Sequence, residues 1–375
     1  MRNQILLFSF LLFLPAFSHA QDVIARQSGG QSYFYYIDLP YTGQKLLEVI
    51  ELSSPGDTLY LPGIKFEFSE DFVINKPIII IGTGFHPDYV SEYGAMPTKF
   101  SSSVNNVDFR LISGSSNTQL HGLLFENVSF RVGKDNNTRN VSDVKLYRCR
   151  FTLDADLDYG KSSGGNQHNN PNAKNFIFQN CIFDNYLYTA YGINIQVRGC
   201  ILNSKNLYGN QGTVFENNLF INYAKPDPSN EDVLYRNNIF LVNFNTNGGT
   251  GITEKSDFVK NVFISPDTYI VTKGVATLFD NNENSQNFSE VFQGLPPTLP
   301  LTKYDIHFEY KLKPNTIYTT MSTNNDPVGL EGNAPLSWGK VGALPFNPHW
   351  VELKVPNNTE NGVLKINVKA TAQQY

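Results

Sequence analysis

The sequence has few charged residues and no strongly basic segment. Lysine, arginine, aspartate and glutamate make up 17% of its 375 residues, and the formal net charge is -5. Nucleic-acid binding needs clustered lysine and arginine to neutralise phosphates, so a nucleic-acid partner is not expected. Beyond residue 20 the chain also lacks an apolar run of about 20 residues, the length of a membrane-spanning helix, and no membrane span is expected there.

Cysteine is scarce as well. The three cysteines, Cys149, Cys181 and Cys200, cannot all pair with one another, so at least one thiol is expected to be free. A structural zinc site is disfavoured, because zinc takes about four convergent ligands and no fourth cysteine or nearby histidine completes the set. A disulfide between two of the three stays open on sequence grounds, since it depends on side-chain directions.

The first 20 residues are typical of an export signal. Residues 2–20, RNQILLFSFLLFLPAFSHA, contain one basic residue, then an apolar run broken by Pro15, and end in small residues. The apolar run from Ile5 to Phe17 is shorter than the roughly 20 residues of a membrane anchor. We expect cleavage near Ala20 and a secreted protein, located in the extracellular space, on the cell surface or in the periplasm.

A six-residue pattern recurs seven times between residues 125 and 263. The copies are FENVSF, LYRCRF, FQNCIF, VRGCIL, FENNLF, YRNNIF and FVKNVF, and their fourth positions lie 18 to 23 residues apart except for one step of 32. Short aromatic and β-branched segments at this period, bounded by asparagine and glycine, indicate the coils of a β-solenoid rather than helical repeats. The predicted fold is therefore all-β, a parallel β-helix.

The six positions predict how side chains stack from coil to coil. Positions one and six are apolar throughout and should face inward, stacked at the roughly 4.8 Å spacing of paired strands. Position three is mostly asparagine, with glycine in another copy, residues that tolerate the left-handed backbone of a sharp corner. Position four should face inward again, with the cysteines in adjoining coils and asparagines in the coils after them. We expect buried thiols and an internal ladder of asparagine amides.

Position two should face the solvent. It is occupied by Arg198, Glu216 and Arg236 in three consecutive copies, and the alternating charge avoids repulsion between stacked neighbours. A solvated ion ladder is one interpretation of this column. The alternative is that one arginine clamps a substrate or acts in catalysis.

The segment before the repeats resembles the opening coils of the pectin-lyase-like superfamily of β-helix proteins. In residues 51–84, ELSSPGDTLYLPGIKFEFSEDFVINKPIIIIGTG, the GDT turn and the strand that ends in an IxGxG turn carry the resemblance, and LLEVIELSS supplies the capping helix. The resemblance covers roughly residues 40–290. It implies a right-handed parallel β-helix with an N-terminal capping helix.

The same resemblance gives little information about activity, because the superfamily contains lyases, hydrolases, phage tailspikes and adhesins. The polygalacturonase signature, an NTD strand followed by paired aspartates and a GHG turn, is absent from the sequence. So are the WIDH-like and RxPxxR-like segments of calcium-dependent pectate lyases. Whether the protein is an enzyme is left open at this point.

The last residues predict a second kind of β-structure. GALPFNPHWVELKVPNNTENGVLKINVKATAQQ is similar to the terminal β-segment of uncharacterised β-helix proteins secreted by Bacteroidetes, and its two strands, WVELKVP and VLKINVKA, would cap the last coil. The predicted organisation is a signal peptide at 1–20, a parallel β-helix at 21–290 and a C-terminal β-rich extension or cap at 291–375.

The 32-residue step contains a polar insertion with the first candidate site. Asp154, Asp156 and Asp158 alternate there, which places them on one face of an extended segment. Calcium is the natural counter-ion for such a set, although the sequence lacks the rest of an EF-hand loop. The alternative is a solvated acidic loop. If the protein is a calcium-dependent lyase, Lys161 or Arg150 is the nearest basic group that could accept the proton.

Aromatic residues follow the insertion and form the second candidate site. These are Tyr186, Tyr188, Tyr191, Tyr208 and Tyr223. Their rings could stack on sugars, although half-buried packing is the preferred explanation for any single one of them. We expect residues 154–172 to form an exposed loop beside these tyrosines.

Two functions compete on this basis. The first is a non-catalytic secreted protein that binds a polysaccharide or a cell-surface glycan. The alternative is a polysaccharide lyase or glycoside hydrolase that acts on an acidic, uronate-containing polysaccharide, with calcium as the cofactor of a lyase. A purely structural scaffold is the third possibility, and the sequence leaves the oligomeric state open.

Overall fold

The computed structural model describes a chain that is mostly β-strand. The described residues are 22–37, 42–85, 96–135, 137–157, 173–189, 192–203, 206–207, 212–221, 225–226, 232–241, 256–264, 278–280, 282–283, 288–293, 310–332, 349–354 and 367–371. The expected signal peptide and the candidate residues Asp158, Lys161, Tyr191, Tyr208 and Tyr223 lie outside them.

Three large sheets contain most of the strands. Sheet A consists, in spatial order, of β2 (Gln31–Tyr36), β1 (Val23–Ser28), β3 (Thr58–Tyr60), β6 (Ile79–Ile81), β9 (Gln119–His121), β13 (Lys145–Tyr147), β17 (Ile177–Gln179), β21 (Gln196–Arg198), β24 (Val214–Glu216), β27 (Val233–Arg236), β29 (Ser256–Val259) and β31 (Leu278–Asp280). Sheet B consists of β4 (Lys65–Phe68), β7 (Lys99–Ser102), β10 (Leu124–Glu126), β14 (Arg150–Phe151), β18 (Ile182–Phe183), β22 (Ile201–Leu202), β25 (Leu219–Phe220), β28 (Ile239–Phe240) and β30 (Val262–Phe263). Sheet C consists of β5 (Phe72–Ile74), β8 (Asp108–Leu111), β11 (Ser129–Val132), β15 (Ala155–Asp156) and β19 (Leu187–Tyr188).

The remaining elements are short. Small parallel sheets contain β12 (Val141–Ser142), β16 (Ala173–Lys174) and β20 (Gly192–Ile193), and β23 (Asn206–Leu207) with β26 (Lys225–Pro226). An antiparallel pair consists of β32 (His349–Lys354) and β33 (Asn367–Thr371). The helices are α1 (Thr42–Leu52), α2 (Phe288–Val291) and two 3-10 turns, Ile317–Thr319 and Gly329–Gly332.

The strands enter the three large sheets in a fixed rotation. From β3 to β22 the chain passes through sheets A, B and C in turn, with the short strands β12, β16 and β20 inserted between C and A in the later rounds. Neighbouring strands of each round pair in parallel, as in Leu146 with Phe178 and Phe151 with Phe183. The prediction is confirmed in part: the chain is mostly β with long parallel sheets, and the rotation is compatible with a parallel β-helix.

Buried aromatic rings stack on the inner faces of sheets A and B, as predicted for positions one and six. On sheet B, the rings of Phe220 and Phe240 have centroids 4.4 Å apart and are inclined by 4°. On sheet A, the ring of Tyr235 stacks at 5.0 Å on Phe215 and at 4.7 Å on Phe258. These side chains are at most 1% exposed, so the core is a continuous stack of like residues.

The first copy of the predicted repeat, FENVSF, is out of register with the others. Phe125 pairs with Phe151, which makes it position six of its coil rather than position one. The segment in register is LHGLLF at residues 120–125, because Leu120 pairs with Leu146. The apolar positions of FENVSF match those of the other copies, but FENVSF begins one strand later and continues into sheet C. An additional copy begins at Phe279, which pairs with Phe258.

Position three is a left-handed corner in each in-register copy whose third residue is described. Asn180, Asn217 and Asn237 have φ angles of 54° to 56°, as predicted, and Gly199 has 55°. Asn127, which belonged to the misaligned copy, has a φ angle of 58° at a different corner, after β10. Asparagine and glycine accept this conformation at low cost.

Position four contains an internal ladder of hydrogen bonds. The Asn218 Nδ2 atom donates to the carbonyl of Val197, 2.8 Å away, and to Oδ1 of Asn238 at 3.0 Å. The Cys200 Sγ atom lies 3.4 Å from the carbonyl of Phe178, so the thiol takes the place that an amide takes in the next coil. All three cysteines are free and fully buried, as predicted for a ladder of small side chains.

The N-terminal end differs from the predicted start of a β-helix. Helix α1 forms as predicted, and its buried side chains Leu46, Val49 and Ile50 join the core. Before it, however, β1 and β2 form an antiparallel hairpin, and β1 also pairs antiparallel with β3. The parallel part of the predicted 21–290 region therefore begins at β3. The hairpin turn at Gly29 and Gly30 has positive φ at both residues, the geometry that two-residue hairpins prefer.

The C-terminal region combines two arrangements. The predicted strands WVELKVP and VLKINVKA are confirmed in part as the antiparallel pair β32 and β33. The described residues 288–293 and 310–332 are not β-rich, in contrast to the prediction: they contain helix α2, the two 3-10 turns and one isolated bridge. Their side chains Val291, Tyr318 and Leu330 pack against the outer face of sheet B. These described residues therefore cover part of the outer face of sheet B.

Candidate functional site

The outer face of sheet C brings together charged and aromatic side chains from successive coils. Strand register sets up two columns, since Phe130 pairs with Ala155 and Ala155 with Leu187. The first column contains Asp71, Asp108, Ser129, Asp154 and Tyr186, and the second contains Arg110, Arg131, Asp156 and Tyr188. Side chains two residues apart on a strand share a face, so the columns lie side by side.

Ion pairs connect the charged members of these columns. Arg110 Nε lies 2.7 Å from Asp71 Oδ2, and Arg110 also contacts Asp108. Arg131 Nε lies 2.9 Å from Asp108 Oδ1, and its Nη1 lies 3.4 Å from Asp156 Oδ2. Arg131 and Asp156 are only 7% and 4% exposed, so solvent screening is weak and loss of either partner would leave a buried charge.

The structure differs from the predicted exposed cluster of aspartates. Asp154 and Asp156 are buried, and residues 155–156 form β15, so the expected exposed loop does not begin at residue 154. The reason is the alternation itself, because it turns Ala155 into the core and both carboxylates onto the outer face of a paired strand. Asp154 accepts a hydrogen bond from Asn185 Nδ2 at 2.7 Å. The remainder of the expected loop, residues 158–172, lies outside the described residues.

The counter-charge of Asp156 is a guanidinium group. In the described part of the chain, no three histidine, cysteine, aspartate or glutamate side chains are grouped to hold a metal ion. The third predicted ligand, Asp158, lies beyond the described residues, and calcium binding stays a prediction that depends on it.

The structure places two of the predicted tyrosines beside these aspartates. Tyr188 is on β19, the last described strand of sheet C, and Tyr186 directly precedes it; both are half-buried, and their ring centroids are 5.3 Å apart with an angle of 31° between the planes. Asp156 is the register partner of Tyr188, and Asp154 is next to Tyr186. These two carboxylates and two aromatic rings therefore lie on one side of the sheet, and their role as a binding site stays a prediction.

Arg150, the described catalytic candidate, lies elsewhere. It is on β14 of sheet B, and its Nε atom lies 2.8 Å from Asp184 Oδ2. Asp154 and Asp156 belong to the face of sheet C, so the structure does not bring Arg150 together with them. An arginine paired with a carboxylate stays protonated, which makes it a poor proton acceptor.

The position-two column on sheet A is an ion ladder. Glu216 accepts contacts from Arg198 Nε at 3.2 Å and from Arg236 Nε at 2.8 Å. Both arginines therefore pair with the same protein carboxylate. The interpretation as a cross-strand ion ladder accounts for these contacts.

Sequence analysis missed His121, which lies in the same column. Its ring centroid is 4.9 Å from that of Tyr147, and burial, followed by the positive charges of Arg148 and Lys145, lowers the pKa of His121 to about 4. The imidazole is therefore neutral at pH 7. The signal that could have identified it is the LHGLLF copy, in which His121 is at position two.

Comparison with known proteins leaves the family open. A scan against models of protein families gives no match, and a search of curated proteins gives none. Across the described residues, no helix has both the length and the apolar character needed to cross a membrane. The resemblance to the pectin-lyase-like superfamily therefore stays a prediction from the sequence.

Proposed function

We propose that the chain is an exported, right-handed parallel β-helix that binds a polysaccharide without catalysing its cleavage. The rotation of strands through sheets A, B and C supports the helix, because consecutive parallel strands in different sheets require a chain that winds. Right-handed connections between parallel strands are the strong default for L-amino acids, which supports the handedness. Export is inferred from the sequence of residues 1–20, and the pectin-lyase-like family from residues 51–84.

The observation that carries the polysaccharide proposal is the pair of rings at Tyr186 and Tyr188. Two half-buried rings 5.3 Å apart, at the last described strand of sheet C, present an apolar surface with polar edges. The apolar C–H face of a sugar packs on such rings. The carboxylates of Asp154 and Asp156 lie beside the rings but are buried, so the contact offered to a sugar is the surface of the two rings.

The charge of the site favours a neutral sugar over a uronate. A uronate carboxylate bound at the rings would lie close to the carboxylate of Asp154, and like charges repel. Arg131 is shared between Asp108 and Asp156, so its charge is already offset by protein carboxylates. We therefore propose a neutral polysaccharide as the ligand, with calcium-dependent binding of a uronate as the outcome that would show a cation site beyond residue 157.

The test is isothermal titration calorimetry with soluble neutral glucan, mannan and xylan and with polygalacturonate, each with calcium and with a chelator. Tyr186→Ala and Tyr188→Ala should each weaken binding of the neutral polysaccharide about tenfold, the loss expected for one stacked ring. Tyr33→Ala, which removes an exposed tyrosine of the N-terminal hairpin, is the matched control and should bind normally. Equal affinity of all variants, or binding of no polysaccharide in the panel, would contradict the proposal.

Catalysis is tested on the same samples. Unsaturated products of a uronate lyase absorb in the ultraviolet, and new reducing ends report hydrolysis. We expect neither signal. Cleavage that is lost in a chelator would instead support the calcium-dependent lyase.

A further inference from the structure

The outer edge of β2 is an open strand edge with exposed aromatic side chains. Strand β2 is the terminal strand of sheet A and pairs only with β1 among the described strands. Its side chains Phe34 and Tyr36 are 65% and 60% exposed, against 39% for Tyr33. An edge strand presents a row of unpaired backbone groups to which another strand can bind.

The hairpin register determines which backbone groups point outward. The Ile37 amide donates to the Asp22 carbonyl at 2.9 Å, which identifies residues 22 and 37 as a hydrogen-bonded pair. Hydrogen-bonded and non-hydrogen-bonded pairs alternate along an antiparallel ladder. Ser32, Phe34 and Tyr36 are therefore in the non-hydrogen-bonded pairs of the β1 and β2 ladder, and their N–H and C=O groups point away from β1.

These three residues are symmetric about Phe34. If a second β2 strand approaches antiparallel with Phe34 opposite Phe34 of the other copy, Ser32 is opposite Tyr36 and Tyr36 is opposite Ser32. Each outward amide then meets an outward carbonyl of the other copy, which gives six hydrogen bonds related by a two-fold axis. The two Phe34 rings become direct cross-strand neighbours on one face, an arrangement that stabilises paired strands.

The charges on β2 fit a second copy of the same chain. The strand QSYFYY contains no charged residue and no proline, so two copies meet without like-charge repulsion. The edge strand of sheet B is different: β4 carries Lys65 and Glu67, whose charged groups lie 2.9 Å apart. Charged side chains and proline are the usual protection of exposed edges, and β2 lacks both.

We propose that two copies of the protein associate through antiparallel pairing of their β2 strands, which joins the two A sheets into one. The interface is isologous, as a two-fold dimer requires. It lies on the N-terminal hairpin, whereas the proposed polysaccharide site lies on β19, so the two proposals are independent.

The test is sedimentation equilibrium of the purified protein from 1 to 100 µM, with the protomer mass taken from mass spectrometry. We expect the wild type to be dimeric at the upper end of this range. Phe34→Lys and Phe34→Glu should each weaken dimerisation about tenfold or more, because like charges would face each other across the two-fold axis. An equimolar mixture of the two variants should recover a dimer, since the paired charges are then opposite.

Two further variants test whether the edge of β2 itself forms the dimer contact. Phe34→Pro removes an outward N–H but no hydrogen bond to β1, so it should weaken the dimer while circular dichroism stays unchanged. Gln44→Lys adds a positive charge on the exposed face of α1 and should leave the dimer intact. A monomeric wild type, or a dimer that persists in Phe34→Lys, would overturn the proposal. So would loss of polysaccharide binding in Phe34→Lys without a change in mass, because the exposed rings would then serve a sugar.

Discussion

The two halves of sheet B have the same kind of apolar inner face, but their outer faces differ: the first is mostly charged and the second is aliphatic. In the first half, from β4 to β14, the outer residues are Lys65, Lys99, Leu124 and Arg150, and the three charged ones form ion pairs with nearby carboxylates. In the second half, from β18 to β30, the same column is aliphatic and consists of Ile182, Ile201, Leu219, Ile239 and Val262, all at most 1% exposed. The coils thus keep one core while the outer face changes from solvated to covered.

The cover consists of the described residues 288–293 and 310–332, and hydrogen bonds explain where the second of these ranges binds. Asn217 Nδ2 donates to the Gly332 carbonyl at 3.0 Å, and the Gly329 amide donates to the Asn237 carbonyl at 2.7 Å. Lys260 Nζ donates to the Ser322 carbonyl at 2.9 Å. The partners on the sheet side are the position-three corner residues of successive coils. The corners therefore provide backbone shape and also the polar groups that fix the covering segment.

The largest expected effect lies in the core that both halves share. Phe220→Ala should lower the free energy of unfolding by about 3–5 kcal/mol, because it removes a buried ring from a continuous stack. Arg198→Ala, on the outer face of sheet A, should cost about 1 kcal/mol or less. Denaturant unfolding of both variants measures the difference. If Phe220→Ala costs no more than Arg198→Ala, the inner stack does not stabilise the fold as described.

The outer face provides the direct comparison between the halves. Ile239→Ala should cost about 2–4 kcal/mol, the range for truncation of a fully buried aliphatic side chain. Arg150→Ala, at the same column position in the first half, should cost about 1 kcal/mol or less, since its side chain is 26% exposed and its ion pair is partly screened. Equal losses for the two variants would mean that the second half is not covered in solution.

Sequence predicted the inner faces well because their pattern is repeated. Coil-to-coil stacking requires like residues at one position, so the stacking of Phe220 on Phe240 can be predicted from the sequence alone. The outer face of sheet B also carried a signal, the aliphatic fifth position of FQNCIF through FVKNVF, which an exposed strand would not keep. The covering segment itself could not be predicted, since its contacts to Asn217 and Asn237 span 86 to 115 residues of sequence.

The candidate site was predicted only in part for a similar reason. The alternation of Asp154 and Asp156 correctly placed both on one face, and the coil period correctly placed Tyr186 and Tyr188 beside them. The ion pair of Asp156 with Arg131 was not foreseen, because FENVSF was aligned to the wrong sheet and Arg131 directly follows it. Because of this one-strand error in register, the sequence did not reveal that the proposed metal ligand Asp156 is half of a buried salt bridge.

A substitution in the covering segment should have an intermediate effect. A Cβ atom added at Gly329 would lie 2.6 Å from Ile239 Cδ1, and the φ angle of Gly329 is +65°. Gly329→Ala should therefore cost about 1–3 kcal/mol through both the contact and the backbone. In an Ile239→Ala background part of this cost should disappear, because the clashing atoms are absent. Strictly additive costs in the double variant would show that the segment does not pack on Ile239.

The smallest effect among the core substitutions is expected at the thiols, whose labelling distinguishes local from global opening. Cys149, Cys181 and Cys200 are free and fully buried in the position-four ladder. Burial raises the pKa of Cys149 and of Cys181 well above the usual value, so the reactive thiolate is disfavoured throughout the neutral range. Cys181→Ala should cost about 1–2 kcal/mol, since it removes a small buried side chain and a weak donor.

In the native wild type a thiol reagent should label none of the three cysteines, because the ladder opens only when the coils separate. Phe220→Ala should accelerate labelling by raising the unfolded population, whereas Gly329→Ala, which loosens only the cover of sheet B, should leave the rate relative to unfolding unchanged. Rapid labelling of two native thiols at pH 7 would show that position four does not face the core.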